Sequence, residues 1–190
     1  LSIKCYKYII DKGSDNYYYI DAHVNMLYAL GKKENVDLQE INNLYQKTIQ
    51  ELGTSNNTVL LLNNYAHFTA FSLSDLSSAQ KILESAMEIP NINKNDKAEC
   101  KLVYADVMLL SGNIWSSLLY YSQVEKEHKE GPLGHEAKLR RAKISYYQGD
   151  FNWAQSQLDI LKSSTSKLIS NDAMDLSLLI TDNLNLDTTA

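Results

Sequence analysis

Apolar and small side chains recur along this chain in triplets spaced i, i+4, i+7, and the triplets themselves return at a nearly fixed interval. They are Ser2, Tyr6 and Ile9; Ile41, Tyr45 and Thr48; Ala79, Leu83 and Ala86; Ser117, Tyr121 and Val124; and Ala154, Leu158 and Leu161. Their first members lie 39, 38, 38 and 37 residues apart. In an α-helix that spacing aligns three side chains on one stripe, so each triplet predicts a helix with one buried face. A stripe recurring at a fixed interval predicts a stacked array of similar units.

Each such helix after the first follows a second apolar-periodic segment. These are predicted over roughly 17–30, 58–73, 97–111 and 135–148, with a further one over 171–183. Helix pairs are the result. Gly112 and Gly149 suit the left-handed residue that closes a helix, and Asn113 and Asp150 can cap the next one. Ser74-Asp75 serves the same turn without a glycine. Between pairs, Ile89-Pro90 ends a helix, Asn56-Asn57-Thr58 can start one, and Gly131-Pro132-Leu133-Gly134 is read as a break. Only two prolines and seven glycines interrupt the chain, in keeping with a mostly helical protein.

Two segments, YADVMLLSGNIWSSLLYYSQV and RAKISYYQGDFNWAQSQLDIL, resemble tetratricopeptide repeats. Ala105, Gly112, Ser117, Tyr121 and Val124 match one copy of the family pattern; Ala142, Gly149, Phe151, Ala154, Leu158 and Leu161 match the next. The likeness is weaker over Thr58–Pro90 and faint before residue 54. The period is longer than the family's 34 residues, Lys101 and Lys138 replace the large residue of the first helix, and the closing proline is displaced or missing. Longer repeats of this kind are similar to those of bacterial envelope scaffolds, which makes a bacterial origin the expectation.

The resemblance implies an all-α solenoid of stacked antiparallel helix pairs. It would span 1–190 as a single domain of about three to four repeats, with partial repeats at both ends, and form a piece of a longer protein. The last helix is expected to expose part of a Met174, Leu176, Leu178 and Leu179 stripe. In this family the first helix of each pair lines a concave groove. Carried onto matching positions, the groove comprises Asn64, Phe68 and Phe71, then Leu102, Asp106 and Leu109, then Leu139, Lys143 and Tyr146. Such a surface implies a peptide or protein ligand, and alanine at Phe68 or Tyr146 is expected to weaken binding while sparing the helical signal.

Composition narrows the function further. A hydrophobic share of 44% supports a real core. The net charge of -5, without a basic stripe, argues against nucleic acid, which requires clustered Lys and Arg. Apolar runs such as Val59–Leu62 fall far short of the ~20 residues that cross a bilayer. Cys5 and Cys100 have no metal-binding companions, and the HExxH that His135-Glu136 begins lacks its second histidine, because Leu139 stands there. His128 and His135 are read as solvated helix-end residues. The Tyr17–Tyr19, Tyr120-Tyr121 and Tyr146-Tyr147 runs lack the interleaved cations of a nucleic-acid platform, and the Asn56-Asn57-Thr58 sequon reads as a cap.

The reading is therefore a non-catalytic scaffold for a protein or peptide, with no cofactor and no metal. Two alternatives stay open: a sensor or regulatory repeat region of a larger signalling protein, and a carbohydrate- or small-ligand-binding envelope protein. Exposed tryptophans would favour the last, and Trp115 and Trp153 are expected to pack instead. Either the bacterial envelope (periplasm) or the cytoplasm fits, and partner identity and oligomeric state are left open.

Overall fold

The computed structural model describes residues 2–33 and 35–187, with side chains as far as 184. Among them every regular element is helical: α1 (Ser2–Ile10), α2 (Tyr19–Gly31), α3 (Leu38–Leu52), a 3₁₀ turn (Asn56–Thr58), α4 (Val59–Phe71), α5 (Leu76–Met87), α6 (Lys94–Leu110), α7 (Ile114–Glu127), α8 (Pro132–Tyr147), α9 (Phe151–Leu161) and α10 (Lys167–Asp187). Two compact units result, Leu1–Gly112 and Asn113–Ala190, each with its own core.

The triplets become the cores of the helices that carry them. The buried residues of α3 are Ile41, Tyr45 and Thr48; those of α5 are Ala79, Leu83 and Ala86; those of α7 are Ser117, Tyr121 and Val124. In α9, Gln157 joins Ala154, Leu158 and Leu161. Burying one Leu contributes about 1.5–3 kcal/mol, so the stripes are a principal source of cohesion. The first triplet behaves differently: α1 buries nothing completely, leaving Ser2 exposed and Tyr6 and Ile9 half-buried.

Four turns between these helices share one device. A residue in the left-handed region, Asn35, Ser74, Gly112 or Gly149, precedes an N-cap Asp or Asn. Asp37 accepts from the Gln39 N–H at 2.8 Å, Asp75 from Ser78 at 3.0 Å, Asn113 from Ser116 at 3.2 Å and Asp150 from Trp153 at 3.4 Å. The caps follow one another at 38, 38 and 37 residues, the same interval as the buried stripes. Capping satisfies an orphan N–H of the next helix, while the left-handed residue turns the chain back on itself.

The Gly131–Gly134 segment marks the break its composition suggests, with α7 ending at Glu127 and α8 beginning at Pro132. Pro132 occupies the first position of α8, where its missing N–H costs nothing. Gly134 lies within the first turn, and a Cβ there would stand 2.1 Å from the His128 carbonyl oxygen. Glycine here permits a close approach of backbones.

In the first unit each helix packs on the next, and α2 also packs on α4 and α4 on α6. In the second, α7, α8, α9 and α10 pack in order, and α8 also packs on α10. The added next-but-one contacts join the leading helices of successive pairs. Val24, Leu27, Ile41, Tyr45, Leu61 and Phe68 form one core; Leu139, Ala142, Ala154, Leu158, Leu161, Ile169, Ala173 and Ile180 form another.

Polar ties fix the second unit. Glu125 on α7 holds Lys138 at 3.3 Å and pairs with Arg141, both on α8. Lys138, which departs from the family pattern, is thus matched by a carboxylate. His135 meets the Ser164 hydroxyl at 2.8 Å and fastens the α9–α10 loop to the start of α8. On α10, Met174, Leu178 and Leu179 are exposed as expected, whereas Leu176 packs against the core.

Candidate functional site

The nine groove positions divide by burial. Phe68, Leu102 and Leu139 are buried, so these three belong to the core instead of a groove surface. The leading helices pack on their own partner and on the neighbouring leading helices, which leaves them a wider apolar arc than a helix with one covered face. Phe71 is exposed, and Asn64, Asp106, Leu109, Lys143 and Tyr146 are half-buried. Alanine at Phe68 would therefore open a cavity in the core, costing about 3–5 kcal/mol, and does not isolate binding.

In the first unit a crevice of about 240 Å³ opens between α2 and α4. Tyr28, Gly31 and Lys32 form one wall; Asn64, His67, Phe68, Phe71 and Ser72 form the other; Tyr45 of α3 closes the floor. Its rings are ordered by mutual contact. Tyr45 lies 5.5 Å from Phe68 and stacks on Tyr65 at 5.2 Å, and His67 stacks on Phe71 at 4.4 Å. The Lys32 ammonium stands 5.5 Å above the Tyr28 ring. Gly31 has room beside Phe68, where a Cβ would be in ordinary contact at 3.5 Å.

Tyr45 is only 1% exposed. Burial, with a smaller contribution from Tyr28, raises its pKa well above the usual phenol value, so at neutral pH it keeps its proton. Tyr65 beside it donates to Asn42 at 2.9 Å and accepts from Gln46 at 3.2 Å.

In the second unit a crevice of about 270 Å³ lies between α8 and α10. Lys143, Tyr146 and Tyr147 face Asp172, Asp175, Leu176 and Leu179 across it. Lys143 reaches Asp172 at 3.4 Å, and the Tyr146 and Tyr147 rings meet edge to face at 5.3 Å. Aromatic surface, one ion pair and the Asp175 carboxylate thus share a small concavity.

One wall of each crevice, on α4 and on α8, occupies matching repeat positions. Counted back from the turn residues Ser74 and Gly149, Phe68 and Lys143 stand six residues earlier, Phe71 and Tyr146 three, Ser72 and Tyr147 two. Five of the nine groove residues, Asn64, Phe68, Phe71, Lys143 and Tyr146, line one crevice or the other. Leu102, Asp106 and Leu109 on α6 line neither. Sequence reasoning did not include Tyr28, Lys32, His67 or the floor residue Tyr45; only pairing α2 with α4 would have found them.

Trp115 and Trp153 correct another expectation, being 83% and 53% exposed instead of packed. Each precedes its buried triplet and faces away from it. No described helix is long and apolar enough to cross a membrane. Comparison with models of protein families, with curated proteins and with solved structures gave no match.

Proposed function

We propose that this chain is a tetratricopeptide-like solenoid segment that binds a peptide of a protein partner along its leading helices, without catalysing a reaction. The observation that carries the proposal is a side-chain-sized crevice between consecutive leading helices in each unit, with one wall, on α4 and on α8, at the same repeat offset. At about 240 and 270 Å³ they fall below the ~300–1,000 Å³ that encloses a cofactor or drug-sized molecule. Anchor residues of a peptide fit that scale, with aromatic walls supplying most of the energy and Lys143, Asp172 and Asn64 fixing orientation. Periodic stripes, four matching caps and contacts between leading helices support the solenoid.

Panning a random peptide library against the protein tests this reading. Selected peptides should lose about tenfold in affinity when Phe71 or Tyr146 is changed to Ala, the scale of an anchor worth over ~1 kcal/mol, with helical content unchanged. A library that yields no binder, or binders indifferent to both changes, rules the reading out.

The exposure of Trp115 and Trp153 favours a second reading, a sugar- or small-ligand-binding envelope protein, because exposed indoles stack on apolar ring faces. Soluble glycans that quench tryptophan fluorescence at saturating, Trp153-dependent concentrations would support it.

A further inference from the structure

We propose that the α8/α10 crevice is an anchor site for one arginine side chain of the partner, its guanidinium lying against the Tyr147 ring and pairing with Asp175. This rests on the peptide-binding reading and specifies what one crevice selects. Two carboxylates, Asp172 and Asp175, and one ammonium, Lys143, line about 270 Å³. Lys143 is matched by Asp172 at 3.4 Å, so among the lining residues the remaining charge is that of Asp175.

The sequence of α10 extends this negative excess. The helix carries four aspartates and one lysine, and Asp172, Asp175 and Asp182 fall at i, i+3 and i+10, on one side of it together with Leu179. Asp175 and Asp182 are exposed. A surface of this sign draws in a basic partner and repels an acidic one. An acidic guest in the crevice would face Asp172 and Asp175, and a neutral one would forgo their charge.

The tyrosines decide between the basic side chains. Tyr147 meets Tyr146 edge to face at 5.3 Å and is 83% exposed, which leaves a ring face open beside the carboxylates. A cation over such a face is attracted by the ring quadrupole. A guanidinium is planar and weakly hydrated, so it can stack on the ring while its N–H fork reaches a carboxylate; an ammonium keeps more of its water in so open a site. Leu176 and Leu179 offer apolar contact to the methylene stem.

NMR titration of the intact chain with N-acetyl-L-argininamide, N-acetyl-L-lysinamide and the neutral isostere N-acetyl-L-citrullinamide tests the site. The arginine amide should shift the resonances of Tyr146, Tyr147 and Leu179 and bind about 3- to 10-fold tighter than the citrulline amide, the value of a cation over an exposed ring together with an exposed ion pair. The lysine amide should fall between the two. Asp175→Asn should erase the preference for arginine over citrulline, and Tyr147→Ala should weaken arginine binding. Both side chains are exposed, so the circular dichroism of either variant should match that of the wild type. Absence of binding, citrulline or lysine amide binding as tightly as arginine amide, or an arginine preference over citrulline that survives Asp175→Asn overturns the proposal. Library peptides that bind while the arginine amide does not would sink the site and leave the peptide-binding reading standing; failure of the library itself sinks that reading.

Discussion

Ala154→Leu should destabilise the second unit although it adds apolar surface. Ala154 is fully buried among Leu139, Ala142, Leu158 and Leu161, at the point where α8 and α9 approach. Three extra carbons there have no void to enter, so the helices must part or the side chain must leave its rotamer, at about 1–3 kcal/mol. In a unit of this size each kcal/mol lowers the melting temperature by about 4–8 °C. Ser156→Leu is the control. Its site on the same helix is exposed, and its hydroxyl only donates back to the Asn152 carbonyl at 2.9 Å, so the change should stay within ~0.5 kcal/mol. Urea unfolding followed by tryptophan fluorescence reports this unit selectively, since both tryptophans, Trp115 and Trp153, lie within it. Far-UV circular dichroism guards against a local effect on Trp153. Equal stability of Ala154→Leu and wild type, with a loss in Ser156→Leu, would refute the assignment of the stripe to the core.

Further outcomes follow from polar and titratable groups. Glu125→Gln leaves the partly buried Lys138 and Arg141 without their carboxylate and should cost about 1–3 kcal/mol in the same unfolding assay; a change under 0.5 kcal/mol would show the pair to be an ordinary surface one. His23 is buried with neither ring nitrogen hydrogen-bonded among the described residues, and desolvation, opposed by Glu51, lowers its pKa from 6.5. The unfolded chain then binds the proton more readily, so stability is full above about pH 6.5 and falls as the pH drops towards the folded value. The urea midpoint by circular dichroism should decline across that window and decline less in His23→Phe; a flat wild-type profile contradicts it. Cys5 is exposed, while burial, with Glu99 and Asp96 adding to it, pushes the Cys100 thiol up to about 12. A thiol reagent should label Cys5 quickly and Cys100 only on unfolding; two fast thiols would contradict that burial.

Local periodicity was legible because it is a property of single helices. Tyr45, Leu83, Tyr121 and Leu158 share a spacing that only a helix aligns, and Gly112-Asn113 and Gly149-Asp150 carry their turn chemistry in the residue types themselves. The cap at Asp37 was missed because Asn35, not glycine, takes the left-handed conformation before it. Partition of the leading helices between core and crevice was less legible. Phe68, Leu102 and Leu139 go inward because α4, α6 and α8 are each covered from several directions, which no single-helix pattern reveals. The tryptophans misled for a related reason: indole size suggests burial, but Trp115 and Trp153 precede the buried stripe and fall outside its arc. The break at Gly131-Pro132 was legible, whereas the close approach to the His128 carbonyl that makes Gly134 necessary was not.

Chemical-shift mapping of a library-selected peptide on the isotope-labelled protein tests the proposed binding face most directly. Perturbations should cluster at Tyr28, His67 and Phe71 of the first unit and at Lys143, Tyr146 and Asp172 of the second. Perturbations confined to Trp115, Leu119, Trp153 and Ile160 would place the partner on the second helices of the pairs and contradict binding along the leading ones.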